Sequence, residues 1–150
     1  MKANEMRLRF SALPENEAFA RLCVSAFVMP LNPTVEENED VKTAVSEAVT
    51  NAIIHGYDGR EGEVTLLASY SESGVLCLTI EDKGCGIEDI ARAMEPMFTT
   101  RPELERSGMG FAVMENFMDA LEVISAPGKG TTVCMRKQFA CLPQKSELPA

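Results

Sequence analysis

The chain lacks the residues for a metal cluster. It holds one histidine, His55, and none of its five cysteines stands in a Cys-x-x-Cys pair, so a usual zinc site cannot be assembled from them. An odd cysteine count without paired spacing reads as reduced, mostly buried thiols. Basic residues are scarce too: 14 Lys and Arg against 23 Asp and Glu leave a formal net charge of −9. That balance opposes direct nucleic-acid binding, where cationic side chains must neutralise phosphates. An acidic surface would suit a basic protein partner, although solubility is its simpler reading. Apolar runs fall well short of the ~18 residues that span a bilayer, and the start, Met1 to Glu5, has no apolar signal-peptide core. These absences predict a cytoplasmic protein with no membrane contact.

Several catalytic signatures are missing as well. There is no Gly-x-x-x-x-Gly-Lys-Ser/Thr loop and no Gly-x-Gly-x-x-Gly, which argues against P-loop and dinucleotide binding. His-Arg-Asp, Asp-Phe-Gly and the Gly-x-Ser-x-Gly elbow are absent, which argues against eukaryotic-type kinases and α/β hydrolases.

What is present suits one domain over residues 1–137 with a mobile tail over 138–150, because 138–150 carries two prolines and no period. Met6–Ser11 alternates like a strand. A helix is predicted from about Pro14, with Phe19, Leu22, Cys23, Ala26 and Phe27 on its apolar face. Thr34 and Glu37 form a capping-box pattern. Val41, Ala44, Val45, Ala48, Val49, Ala52 and Ile53 then form a helical stripe that Gly56 is expected to terminate. Strands are predicted over Glu63–Tyr70, Val75–Glu81, Leu121–Ala126 and Thr131–Lys137, with helices near Glu88–Met94 and Gly108–Met118. Hairpins alternating with separate helices predict an α+β fold: a two-layer α/β sandwich with helices on one face of a mixed, mainly antiparallel sheet.

Three segments carry candidate chemistry. Glu47, Asn51 and His55 share one helical strip. Asn51 can give magnesium a neutral oxygen, and Glu47 can accept a proton from an attacking hydroxyl or water. From spacing alone, a solvated polar helix face is the better explanation, and the glycines downstream reverse that order; His55 is more simply a satisfied helix-end residue. Asp82, with Gly84 and Gly86 after it, could accept from the adenine amine while glycines admit the base closely. A strand-to-loop turn fits that segment equally. Cys85 between them is more simply a small filler than a reactive thiol. Arg106-Ser107-Gly108-Met109-Gly110 opens a helix whose free amides suit phosphate, with Arg101 adding charge. The loop Pro96–Ser107 reads as a lid over the nucleotide, with Thr99 and Thr100 within it assigned to the nucleotide. Gly130-Thr131-Thr132 could bond near adenine, with Thr131 the candidate.

Together these segments resemble the GHKL ATPase superfamily, and Glu47–Tyr57 with Phe98–Asp119 resemble its branch of small anti-sigma serine kinases from endospore-forming bacteria. The resemblance spans about Met6 to Lys137. It implies the GHKL (Bergerat) fold, ATP and Mg2+ as cofactors, Asn51 as the magnesium residue and Glu47 as the general base. It also implies a homodimer that sequesters a sigma factor of the F type and phosphorylates an anti-anti-sigma protein on serine. Arg21, off the apolar face of the first helix, matches a position that contacts both partners; a solvated arginine is the simpler reading of the sequence alone. Other readings are a nucleotide-gated binding module, a plain ATPase, or an anti-sigma kinase of the general stress response.

Overall fold

The structure is a computed structural model that describes residues 2–95 and 110–141. Its strands are β1 (Asn4–Ser11), β2 (Glu63–Tyr70), β3 (Val75–Asp82), β4 (Ala120–Ala126) and β5 (Gly130–Gln138). They form one sheet in the order β1-β2-β3-β5-β4. Every described pair is antiparallel, so the parallel component of the expected mixed sheet does not occur among the described residues.

Register puts one apolar face together. Leu66 lies opposite Ile80, and Ile80 opposite Val133; Ala68 lies opposite Leu78, and Leu78 opposite Met135. Each of these side chains is buried, because alternate residues of a strand point to one face. The helices α1 (Asn16–Phe27), α2 (Val35–Asn51) and α4 (Gly110–Phe117) cover that face, with α2 between α1 and α4. The short α3 (Ile90–Ala93) is capped by Asp89, whose carboxylate accepts from the Arg92 amide at 3.0 Å.

Helix α2 begins as its sequence dictates. The Thr34 hydroxyl accepts from Glu37 N–H at 3.0 Å, and the Glu37 carboxylate accepts from Thr34 N–H at 2.9 Å. All seven residues of its expected stripe are buried. Its end differs from expectation. The helix does not stop at Gly56 but continues as a π-helical segment, Ala52–Tyr57, and ends at Asp58 with φ 50°.

Helix α1 also departs from its reading. It buries Ala20 and Val24, while Phe19 and Leu22 are 52% and 59% exposed. Small residues spaced four apart let α1 sit close against α2, and the bulkier pair turns outward. Strand β5 runs to Gln138, and Phe139 is buried in the core with its N–H bonded to Gly74 C=O at 2.9 Å. The remainder of the expected tail, 142–150, lies outside the described residues.

Candidate functional site

A cavity of about 400 Å³ opens between α2, the β3 exit and the start of α4. Asn51, His55, Asp82, Gly86, Gly110 and Thr131 all line it. Residues from four separate parts of the sequence therefore meet in one place.

Asp82 is the polar anchor of this cavity. It ends β3 on the buried face and is only 8% exposed. Its Oδ1 accepts from Gly84 N–H at 2.9 Å. Burial pushes its pKa above the ordinary carboxylate value, and this outweighs the opposing backbone hydrogen bonds from Gly84 and Thr131. A buried carboxylate with spare acceptor sites suits a ligand that donates, such as an exocyclic amine. Across the sheet, the Thr131 and Ser125 hydroxyls are 2.8 Å apart, and Ser125 Oγ donates to Gly130 C=O at 2.9 Å. With that single hydrogen committed, Thr131 must be the donor to Ser125. Ser125 also accepts from Ile87 N–H at 2.8 Å. It thereby fastens the loop after β3 to the β4–β5 turn, a role that nothing in its strand pattern signals.

Asn51 contributes an orphan: its buried Nδ2 has no hydrogen-bond partner among the described residues. Buried amide groups rarely stay unpaired, so a polar ligand fits here. Amide nitrogen and oxygen are interchangeable by a flip, so the group can offer a ligand either a donor or an acceptor.

The glycines serve a different purpose from the one their spacing suggests. A Cβ on Gly84 would stand 1.9 Å from Gly56 O, and one on Gly86 2.0 Å from Ala126 O. They allow protein chain to approach protein chain, and Gly84 does not line the cavity. Cys85 is exposed in the cavity wall and donates to His55 C=O at 3.1 Å. Gly110 is buried at the start of α4, so the amide end of that helix faces the cavity, where an anion is favoured.

Glu47 and Arg21 lie elsewhere. They line a second cavity, about 280 Å³, with Glu17, Glu39, Lys42 and Ser46, between α1 and α2. Arg21 Nε donates to Glu17 Oε1 at 3.1 Å, so the arginine is engaged on its own helix rather than freely solvated. The helical strip is split between two cavities, because Glu47 lines the second while Asn51 and His55 line the first. Thr99, Thr100, Arg101, Arg106, Ser107 and Gly108, and with them the expected lid, lie outside the described residues.

Comparison with known proteins agrees with this architecture. The family described as "Histidine kinase-like ATPase domain" matches residues 10–137. An anti-sigma F factor from Clostridium perfringens is 56% identical over 136 residues, covering 91% of this chain and 97% of its own. One from Clostridium beijerinckii is 59% identical over 140 residues, covering 93% and 97%. One from Geobacillus kaustophilus is 56% identical over 137 residues, covering 91% and 94%. Among solved structures, the histidine kinase domain of the Erythrobacter litoralis blue-light activated histidine kinase superposes with a TM-score of 0.54 at 25% identity. That match covers 71% of this chain and 46% of the kinase domain's, so this chain spans about half of that protein. With a histidine kinase-like ATPase domain over most of its length and more than half of its residues shared with them, this chain belongs to the anti-sigma F factor family.

Proposed function

We propose that the protein is an ATP-dependent serine kinase that sequesters a sigma factor of the F type and phosphorylates its anti-anti-sigma antagonist on serine. One observation carries this reading: Asn51 and Asp82 line one cavity while Glu47 and Arg21 line its neighbour. The first cavity suits a nucleotide and the second the incoming protein. The names of the relatives support the sigma-factor partner and favour the F type over a stress-response system.

In the nucleotide cavity, Asp82 accepts from the adenine amine and Thr131 lies beside it. Guanine offers a carbonyl oxygen at that point, and the buried carboxylate would reject it. Gly86 and Gly110 line the path toward the phosphates. Thr99, Thr100, Arg106, Ser107 and Gly108 complete the phosphate side, and Gly84 shapes the loop. Asn51 fits magnesium, which keeps its waters and uses few protein oxygens when it is bound to phosphate. When bound, the metal neutralises charge on the transferring phosphoryl group.

Glu47 takes the proton of the acceptor serine, and Arg21 docks the partner beside it. The acceptor is then presented from the α1 side, opposite the base-binding wall. A homodimer is supported by the outer face of α1 and the 3-10 turn, Met29–Leu31, that follows it. Phe19, Leu22 and Met29 are all about half exposed and, with exposed Ala26, are spaced three, four and three apart. That spacing suits packing against a second helix, and a two-fold axis would supply an identical one.

The test is labelled ATP with a candidate anti-anti-sigma protein. Label transferred to a serine of that protein supports the kinase. Release of free phosphate alone would make the protein an ATPase, and retention of intact ATP would make it a nucleotide-gated binding module.

A further inference from the structure

The π-helical segment Ala52–Tyr57 is docked onto the loop that follows Asp82. A π turn widens the helix by one residue and is frequent at functional sites. Here the segment's carbonyl groups turn toward that loop. Gly56 C=O accepts from Cys85 N–H at 2.8 Å, and His55 C=O accepts from the Cys85 thiol. Arg60 secures the far end, donating from Nε to Tyr57 C=O at 2.9 Å.

Tyr57 is the pivot. Its ring is buried, packed over Gly62 so closely that a Cβ there would lie 2.2 Å from Cε1. Its hydroxyl donates to Glu63 C=O at 2.6 Å and accepts from Lys83 N–H at 2.9 Å. The three successive amides after Asp82 are thus all committed: Lys83 to the Tyr57 hydroxyl, Gly84 to the Asp82 carboxylate, Cys85 to Gly56. Two of the three partners belong to the π segment. On its other side, Gly56 lies against the Asp82 carboxylate, where an added Cβ would stand 2.8 Å from Cγ and from Oδ1.

From this arrangement we infer that the π segment, through Tyr57 and Gly56, positions the Asp82 carboxylate and so sets the base selectivity of the nucleotide cavity. Neither residue needs to touch the nucleotide. The inference rests on the reading of Asp82 as the base-recognising group. A carboxylate held in one direction rejects a carbonyl oxygen. One free to turn can swing away or admit a bridging water, and the discrimination falls.

The test measures ATP and GTP affinity of the full chain by calorimetry, in the native protein and in Tyr57→Phe, Gly56→Ala and Asp82→Ala. Tyr57→Phe keeps the ring and removes the hydroxyl. ATP affinity should fall about three- to tenfold, the range of one net hydrogen bond, with GTP affinity unchanged. The Lys83 amide should exchange faster while the β3 amides before it stay protected. Gly56→Ala leaves the hydroxyl in place but displaces the carboxylate, and should lower the same ratio. A merely structural hydroxyl would lower the melting temperature and leave the ratio alone. If Asp82→Ala collapses the ATP-to-GTP ratio while Tyr57→Phe and Gly56→Ala preserve it, the positioning role is wrong and base recognition stands. If Asp82→Ala preserves the ratio, base recognition itself fails. Should Tyr57→Phe not fold, Gly56→Ala decides, and an unchanged ratio overturns the inference.

Discussion

Asp82 accepts a hydrogen bond from the amide of Gly84, two residues further on, and its pKa is nonetheless raised. Burial therefore outweighs the local donors, and the charged carboxylate is costly at this position. Its folded pKa stands above 3.8, so the cost is absent below that pH and complete above the folded value. Between them, the native state holds the extra proton and stability falls as pH rises. Asp82→Asn removes this titration. Relative to the native chain, the variant should gain stability as pH rises through that window and hold a constant difference below it. Denaturant titrations across pH would check this; a difference that is flat with pH would mean the carboxylate is not penalised.

The same substitution should weaken ATP. An amide that donates where an acceptor is required leaves a mismatched polar group, at about 1–3 kcal/mol. Calorimetry on a folded Asp82→Asn variant checks this, and unchanged affinity would remove Asp82 from the base site.

Glu47→Gln should separate binding from chemistry. Glu47 lines the cavity of Arg21 rather than that of Asp82. ATP affinity should therefore change little while phosphoryl transfer falls about 10²–10⁴-fold, the range of a positioned general base. Native transfer rates in a single-turnover assay would exclude the role.

Arg21→Glu should abolish partner capture and spare ATP binding. The substitution turns an attractive contact with Glu17 into a repulsive one and leaves its cavity with Glu39 and Glu47 still acidic. Such a half-buried i,i+4 pair on one helix contributes about 0.2–1 kcal/mol to stability, so the fold should hold. Pull-down of the sigma factor and calorimetry with ATP, on one preparation, give the answer. Capture at native levels would mean that α1 is not the docking face.

Leu22→Glu should shift a dimer to monomer with the fold intact. Light scattering across a concentration series checks this, and an unchanged mass would place the dimer contact elsewhere.

Parts of this structure were legible in the sequence where local chemistry and tertiary packing agree. Thr34, Glu37 and the seven apolar positions of the stripe along α2 and into the π segment told the same story at both levels, and the alternating strands found their hairpins. The readings parted where a residue serves more than one face. Phe19 and Leu22 look like core residues because helix α1 is apolar on two sides, and only packing reveals that Ala20 and Val24 face inward. Gly56 looks like a terminator because a π turn leaves no mark on apolar spacing; its true constraint is Asp82, far along the chain. Glu47 and Asn51 share a helical strip, yet each step of four residues rotates by about 40°, enough to direct them into separate cavities. Tyr57 and Ser125 were invisible as site-shaping residues, because most of their hydroxyl partners are backbone groups that the sequence does not name.

Strand β5 lies between β3 and β4 and follows both in the chain. On the ribosome, then, β4 emerges before the strand it pairs with, and β3 presents an open edge until residues 130–138 arrive to join the two. Unpaired edges invite pairing with other chains, and contacts made so late cannot guide earlier folding. The nascent chain should acquire its protected core abruptly rather than gradually, and stalled chains ending before Gly130 should remain open to protease while those carrying Phe139 clear of the exit tunnel resist it. A cell making this protein therefore has a vulnerable interval, set by how long translation takes to cover the last hairpin.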